Sequence, residues 1–89
     1  MPIVKNLKDT SKISSKPSSH GSWLEYWKAH TGEDAPMCTV QGCYGRDVKG
    51  MPVAKVEDMF EDAYIAPICG ACSKRDDEFY VSVEVVRAE

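Results

Sequence analysis

The sequence lacks any long run of apolar residues. Its first twenty residues contain no apolar stretch of the length that a signal peptide needs, and no later segment approaches the length of a membrane span. We therefore expect a cytoplasmic protein with no membrane partner. With 89 residues, the chain has room for one domain, and a core of this size usually needs a metal or disulfides for stability.

The chain also has fewer basic than acidic residues. The net charge is -3, and residues 1–21 carry four lysines against one aspartate, so the rest of the chain sums to -6. An acidic body argues against a broad phosphate-binding face, although the basic segment could still contact a nucleic acid. We interpret residues 1–21 as a flexible basic tail and residues 22–89 as the folded domain.

The four cysteines form two spaced pairs. Four residues separate Cys38 from Cys43, and two residues separate Cys69 from Cys72. Thiols stay reduced in the cytosol, where a set of cysteines more often indicates a metal than disulfides. Each pair can occupy two corners of a tetrahedron from one turn, so the pattern predicts a zinc-binding domain with these four ligands for Zn2+. Two disulfides, free thiols and an iron–sulfur cluster are the alternatives.

The chain has only two histidines, His20 and His30. Either could replace a cysteine or serve in a second metal site, but a complete set of four cysteines needs neither. Four thiolates around a divalent cation carry a formal charge of about -2. We expect nearby cations to offset this charge, and the candidates are Arg46, Lys49, Lys74 and Arg75.

A helix is predicted directly after the tail. Ser22 and Glu25 have the spacing of a capping box, and Gly32 is well placed to end the helix. Trp23 and Trp27 lie four residues apart and therefore share one helical face. We expect the two tryptophans to supply the main core, because aromatic side chains bury the most area per residue. The alternative is an aromatic binding surface.

The remainder predicts strands. Residues 48–56 and 64–68 form a hairpin between the two cysteine pairs, and the alternation over residues 79–86 predicts a half-buried strand. Pro67 cannot donate to a ladder, so its strand should lie at an edge or end there. Ser73 is expected to cap a short helix. The predicted class is α+β, with an N-terminal helix, a β-hairpin and a C-terminal strand.

Several blocks carry a family resemblance. They are G-S-W-L-E-Y-W at residues 21–27, the spaced cysteine pair, G-M-P-V at 50–53 and Y-I-A-P-I-C-G-A-C-S at 64–73. Together they resemble the treble clef, and more closely a group of small stand-alone zinc proteins related to HNH-type domains. The resemblance covers about residues 21–80, and the last block is its most specific part. It implies a zinc knuckle, a hairpin and a second cysteine pair at the start of a helix.

The sequence departs from that family at its catalytic positions. In HNH nucleases a histidine of the hairpin activates the attacking water, and an asparagine after the second cysteine pair helps to orient it. Pro52 stands at the histidine position and Ser73 at the asparagine position. Proline has no group that can accept a proton, so general-base catalysis at that point is impossible. We therefore expect a chain that is not an enzyme.

These observations predict a zinc-stabilised interaction module that acts as a monomer and binds an unknown protein partner. The acidic residues of 57–62 are a candidate docking patch or a solvated loop. One alternative is a nucleic-acid-binding zinc domain, with Arg46, Lys74 and Arg75 contacting phosphates. The other is a residual HNH-type nuclease, for which Asp47 and Glu57 are the candidate bases.

Overall fold

The computed structural model describes residues 3–7, 13, 21–57 and 62–88. Over these ranges the protein is a small α+β fold, which confirms the predicted class. Five strands form one antiparallel sheet in the order β4-β1-β2-β3-β5. The elements are β1 (Ile3–Asn6), α1 (Trp23–Thr31), β2 (Val48–Lys55), β3 (Tyr64–Cys69), a single 3-10 turn (Cys72–Lys74), β4 (Phe79–Tyr80) and β5 (Val86–Arg87).

The predicted hairpin is β2 and β3, which pair from Val48 with Cys69 to Val53 with Tyr64. Strand β3 is buried on both faces. Its side chains point alternately to opposite sides of the sheet, and a core packs on each side. Ile65 packs into a core cluster with the helix, whereas Ala66 and Ile68 pack into a second cluster with the cysteines. The sheet therefore separates a helix side from a cysteine side.

The prediction that β3 lies at an edge or ends at Pro67 is wrong. The strand continues to Cys69 and lies between β2 and β5. The Pro67 carbonyl oxygen accepts hydrogen bonds from the Thr39 amide at 3.2 Å and from its hydroxyl at 2.7 Å. The nitrogen and oxygen of a strand residue face the same neighbour, so the missing N–H of Pro67 faces the Thr39 loop and costs the β2–β3 ladder no hydrogen bond.

Helix α1 begins and ends where the sequence predicts. The Ser22 hydroxyl accepts from the Glu25 amide at 3.2 Å, and Gly32 ends the helix with a φ of 71°. Trp23 and Trp27 are buried, which confirms their assignment to the core. The indole of Trp27 also donates to the Glu84 carbonyl at 2.8 Å, so the helix holds the C-terminal segment as well as the sheet.

Helix and sheet meet most closely at Gly50. A Cβ atom on this residue would lie 2.5 Å from the carbonyl carbon of Trp23 and 2.5 Å from the amide nitrogen of Leu24. No other residue type fits beneath the first turn of α1 without displacing backbone, so glycine in the middle of β2 permits the close approach of the helix.

The single strand predicted over residues 79–86 is also a wrong prediction, because the structure divides this segment. Strand β4 pairs with β1 at one edge of the sheet, and β5 pairs with β3 at the other. Phe79, Val81 and Val85 are buried in the same core cluster, whereas Val83 is partly buried and packs against the helix-side cluster. The segment therefore changes its core contacts as well as its hydrogen-bonding partners.

The prediction of a flexible tail over residues 1–21 does not hold for Ile3–Asn6. These residues form β1, which pairs with both β2 and β4, and Val4 is fully buried. The greater part of the predicted tail, including His20, and most of the acidic stretch 57–62 lie outside the described residues. Within the described ranges, no helix has the length and apolar character needed to cross a membrane.

Gly50 provides a test of the helix packing. We expect Gly50→Ala to lower the free energy of unfolding by about 1–3 kcal/mol, because the methyl group meets backbone that cannot yield. Denaturant unfolding of the metal-loaded protein measures this. Gly21→Ala is the matched control, since a Cβ there meets only the flexible end of Glu25 at 2.9 Å. Equal stabilities for the two variants would contradict the close approach.

Candidate metal centre

The structure brings the four predicted cysteines together. The Sγ atoms of Cys38, Cys43, Cys69 and Cys72 all lie within 4.8 Å of one another, and Cys43 Sγ is 3.6 Å from Cys69 Sγ. A tetrahedral ion with metal–sulfur bonds of about 2.3 Å requires sulfur–sulfur distances of about 3.8 Å. The observed arrangement therefore fits a single four-coordinate metal ion.

All four cysteines are free thiols in the structure. The 3.6 Å between the sulfurs of Cys43 and Cys69 is far longer than the bond of about 2.05 Å in a disulfide. Two disulfides, one of the alternatives for this pattern, therefore do not describe the fold.

Backbone hydrogen bonds close the loop that carries the first pair. The Cys38 amide donates to the Gly45 carbonyl at 2.7 Å, and the Cys43 amide donates to the Val40 carbonyl at 3.0 Å. Gly42 has a φ of 83°, a left-handed conformation that side chains disfavour. The loop is thus a tight knuckle whose two sulfurs are fixed by its own backbone.

A second glycine lets the two cysteine pairs approach each other. A Cβ on Gly45 would lie 2.9 Å from Cys69 Cβ and 3.0 Å from its Sγ. Beside it, the Asp47 carboxylate accepts a hydrogen bond from the Gly70 amide at 3.2 Å. Asp47, a candidate base in the nuclease alternative, therefore joins the first knuckle to the second.

Further backbone bonds tie the first knuckle to the sheet. In addition to the Thr39 bonds to β3, the Gln41 amide donates to the Tyr80 carbonyl at 2.9 Å. The Ser82 amide donates to the Thr39 carbonyl at 2.8 Å, and Val40 forms an isolated bridge with Val81. The knuckle is therefore held between β3 and the segment that follows β4.

The second pair spans the end of β3 and the start of the 3-10 turn. Ser73 does not cap a helix as predicted: it lies inside this single turn, and its hydroxyl donates to the Gly70 carbonyl at 2.7 Å. A hydroxyl that donates to a preceding carbonyl closes a turn and leaves the following amides without a cap. The α-helix expected after the second pair is absent from the described residues, where one 3-10 turn takes its place.

Asn6 is the site residue that the sequence did not reveal. Its side-chain amide donates to the Cys72 carbonyl at 2.8 Å and to the Arg75 carbonyl at 2.9 Å. Strand β1 therefore fixes the turn that carries the fourth cysteine. These contacts join residues more than sixty positions apart, and the only indication in the sequence was the few apolar residues around Asn6.

The buried position of the sulfurs determines their electrostatics. Burial raises the pKa of the Cys38 and Cys72 thiols, because a low-polarity environment disfavours the thiolate. Cys43 is half-buried, and the backbone amide of Gly45 beside its sulfur lowers its pKa to about 7. Thiols in such contact ionise together only when a cation neutralises them, so metal binding must release protons from the site.

The predicted cations lie around the site with different partners. Arg75 donates from Nε to Asp77 at 2.8 Å and from Nη2 to the second carboxylate oxygen of Asp77, and it lies over the Phe79 ring at 5.1 Å. This ion pair lowers the pKa of Asp77. Lys74 is exposed on the 3-10 turn, and Arg46 and Lys49 are also exposed. That these cations offset the negative charge of four metal-bound thiolates stays a prediction.

His30 does not join the cysteines. It is exposed near the end of α1, where its Nδ1 lies 2.9 Å from the Tyr26 carbonyl oxygen. Over the described ranges, the group of possible metal ligands consists of the four cysteines alone. His20, the other histidine considered, falls outside those ranges.

Comparison of the chain with models of protein families, with curated proteins and with solved structures gave no match. The relationship to HNH-type treble-clef proteins therefore stays a prediction that rests on the sequence blocks described above. The small α+β fold and the cysteine cluster are established from the chain's own residues.

The Asn6 contacts provide a test of how the second pair is held. We expect Asn6→Ala to lower the free energy of unfolding by about 1–2 kcal/mol, because two partly buried carbonyls lose their donor. Asn6→Asp should cost more, since a carboxylate of nearly the same shape repels both carbonyl oxygens. Denaturant unfolding of the zinc-loaded proteins compares them. An aspartate variant as stable as the native chain would contradict the contacts.

Proposed function

We propose that the chain is a small, non-catalytic domain that zinc stabilises and that binds a protein partner as a monomer. The observation that carries the proposal is the closed cysteine site. Four Sγ atoms surround one position, and three of the four cysteines are buried. A catalytic zinc usually has three protein ligands and keeps a position for water or substrate, whereas a site with four protein ligands is usually structural.

Zinc is the metal that this donor set favours. Four thiolates in a tetrahedral arrangement select zinc or iron. Sulfurs that all lie within 4.8 Å of one another fit a single ion, and an iron–sulfur cluster must also accommodate several irons and bridging sulfides between its cysteines. These distances support zinc and disfavour the cluster.

Zinc would stabilise the fold as well as fill a site. Cys38, Cys69 and Cys72 belong to the same buried cluster as Val4 and Ile68. Binding of a structural zinc contributes on the order of 10 kcal/mol, which is comparable to the whole stability of a small domain. Without the metal, that core would contain thiols that repel one another as they ionise.

Two observations support the absence of nuclease chemistry. Pro52, at the position of the HNH histidine, pairs with Ile65 in the β2–β3 ladder and offers no proton acceptor. Asp47 accepts the Gly70 amide and so has a structural partner. Pro52 therefore cannot act as a general base, and the hydrogen bond of Asp47 to Gly70 gives that carboxylate a structural role.

An exposed tyrosine on the first knuckle supports a protein partner. Tyr44 lies between Cys43 and Gly45, and 77% of its surface is exposed. The knuckle backbone is fixed by the hydrogen bonds described above, so the tyrosine is presented with little loss of backbone entropy on binding. Exposed, rigidly held tyrosines are typical anchors of protein interfaces.

The metal is tested directly by its removal. We expect purified protein to contain about one zinc ion per chain and to lose its tertiary structure when a chelator removes the ion, because the cysteine core then lacks its cation. Elemental analysis and near-ultraviolet circular dichroism of the tryptophans measure both. Cys72→Ser should lack both the zinc and the tertiary structure without any chelator, because it removes one of the four ligands. A chelated chain that unfolds at the native midpoint would overturn the structural role.

Tyr44 tests the protein partner. Affinity capture from host extract with the native chain, Tyr44→Ser and Tyr80→Ser should retain one specific protein on the native chain and on the Tyr80 variant, and lose it on the Tyr44 variant. Tyr80 is the matched control, because it is a second exposed tyrosine located on β4. Equal retention of the captured protein by all three chains would contradict a role of Tyr44 in the interface. The absence of any specific captured protein would count against a protein partner.

A further inference from the structure

Cys43 differs from the other three cysteines in its access to solvent. Those three are buried, whereas Cys43 is half-buried. It lies on the first knuckle between Gly42 and Tyr44, which are both exposed. A Cβ atom on Gly42 would meet nothing within 4 Å, so the space beside Cys43 is open. A small solute therefore reaches this cysteine more easily than it reaches its three neighbours.

A second thiol lies within reach of the Cys43 sulfur. Its Sγ is 3.6 Å from the Sγ of Cys69, and a disulfide bond of about 2.05 Å requires an approach of about 1.6 Å. Gly45 provides room on this side of Cys69, because a Cβ at position 45 would lie 3.0 Å from the Cys69 sulfur. The two thiols are thus placed to form a bond after a small movement.

A bond between these two sulfurs would join the same two segments that a metal ion joins. Cys43 belongs to the first knuckle and Cys69 ends β3, so the bond would take one ligand from each cysteine pair. Cys38 and Cys72 would be left as free thiols. Two protein ligands are too few for a closed tetrahedral zinc site, which needs four.

We propose that Cys43 is the site at which a peroxide oxidises this chain, and that Cys43 then forms a disulfide with Cys69 that takes the place of the metal. The loss of zinc in this reaction rests on the proposed function, because it requires zinc at the four cysteines. The disulfide itself depends only on the two thiols and on the exposure of Cys43.

The reaction has two steps, with hydrogen peroxide as the oxidant. In the first, the Cys43 thiolate attacks one peroxide oxygen, a sulfur–oxygen bond forms, the oxygen–oxygen bond breaks and hydroxide leaves. In the second, the Cys69 thiolate attacks the Cys43 sulfur, the disulfide bond forms and a second hydroxide leaves. The two sulfurs together lose two electrons, and the peroxide gains them.

The oxidised chain should keep its fold without zinc. The Cys43–Cys69 bond closes a loop that contains β2 and ends with β3, so it restricts the unfolded chain and holds the two knuckles together. Removal of zinc from the reduced chain leaves no such link. Oxidation and chelation should therefore give zinc-free chains of different stability.

The experiment treats the full, zinc-loaded chain with hydrogen peroxide. A zinc-sensitive dye measures the released ion, and intact mass spectrometry measures the product. We expect one zinc ion to be released for each disulfide formed, with a mass change that equals the loss of two hydrogens. Alkylation of the remaining thiols, located by peptide fragmentation, should label Cys38 and Cys72. Near-ultraviolet circular dichroism should retain the tryptophan signal that the chelated, reduced chain loses.

Two histidine variants test whether Cys43 is the thiol that reacts first. Both Cys43→His and Cys72→His keep four zinc ligands, because imidazole replaces thiolate in many structural zinc sites. We expect Cys43→His to slow the release of zinc by peroxide about tenfold, because it removes the accessible thiol. Cys72→His is the matched control, and its rate should stay within about twofold of native, because Cys43 and Cys69 remain. The thiol map of the native chain decides the proposal if either variant binds no zinc.

Several results would overturn the proposal. They are a disulfide that includes Cys38 or Cys72, a product that gains oxygen instead of losing hydrogens, and equal rates for the two histidine variants. An oxidised chain that loses its tryptophan signal as the chelated chain does would also contradict it, because the disulfide would then not replace the metal. Purified chain without zinc would overturn the metal alone, since the same thiol map still tests the disulfide.

Discussion

Four sulfur atoms held within 4.8 Å of one another are the constraint on which the rest of the structure depends. Burial raises the pKa of the Cys38 and Cys72 thiols, so their full ionisation needs a cation among them. The surrounding residues serve this arrangement. Gly45 permits the approach of the two knuckles, Asp47 links them through the Gly70 amide, and Asn6 fixes the turn after Cys72. A metal ion would complete a site whose walls already exist.

The sheet supports the cysteine site because a separate core packs against each of its two faces. The helix side packs Trp23 and Trp27 around Ile65, and the opposite side packs the cysteines around Val53 and Ile68. Strand β3 contributes to both cores and ends on Cys69, which explains why its sequence is apolar at nearly every position. The helix therefore stabilises the metal side through the strand that they share.

Features encoded by neighbouring residues could be predicted from the sequence, and features made by distant pairing could not. The Ser22 and Gly32 caps, the β2–β3 hairpin and the two cysteine pairs each rest on a spacing of a few residues. By contrast, β1 is ordered by partners about fifty and seventy-five residues away. The division of residues 79–86 between two edges of the sheet could not be predicted either. Alternation of apolar and polar residues indicates which side of a strand is buried, but it does not indicate which strand is the hydrogen-bonding partner.

The interior position of β1 in the sheet has a consequence for how the chain reaches this structure. β1 lies between β2 and β4, and Asn6 contacts the carbonyls of Cys72 and Arg75 across 66 and 69 positions. Closing loops of that length costs entropy before any contact repays it, so a topology of this kind folds more slowly than one built from local contacts. We therefore expect the β2–β3 hairpin to form early and to bring the second cysteine pair near the first. We expect the metal site to be completed later, when β1 docks and Asn6 contacts the turn that carries Cys72.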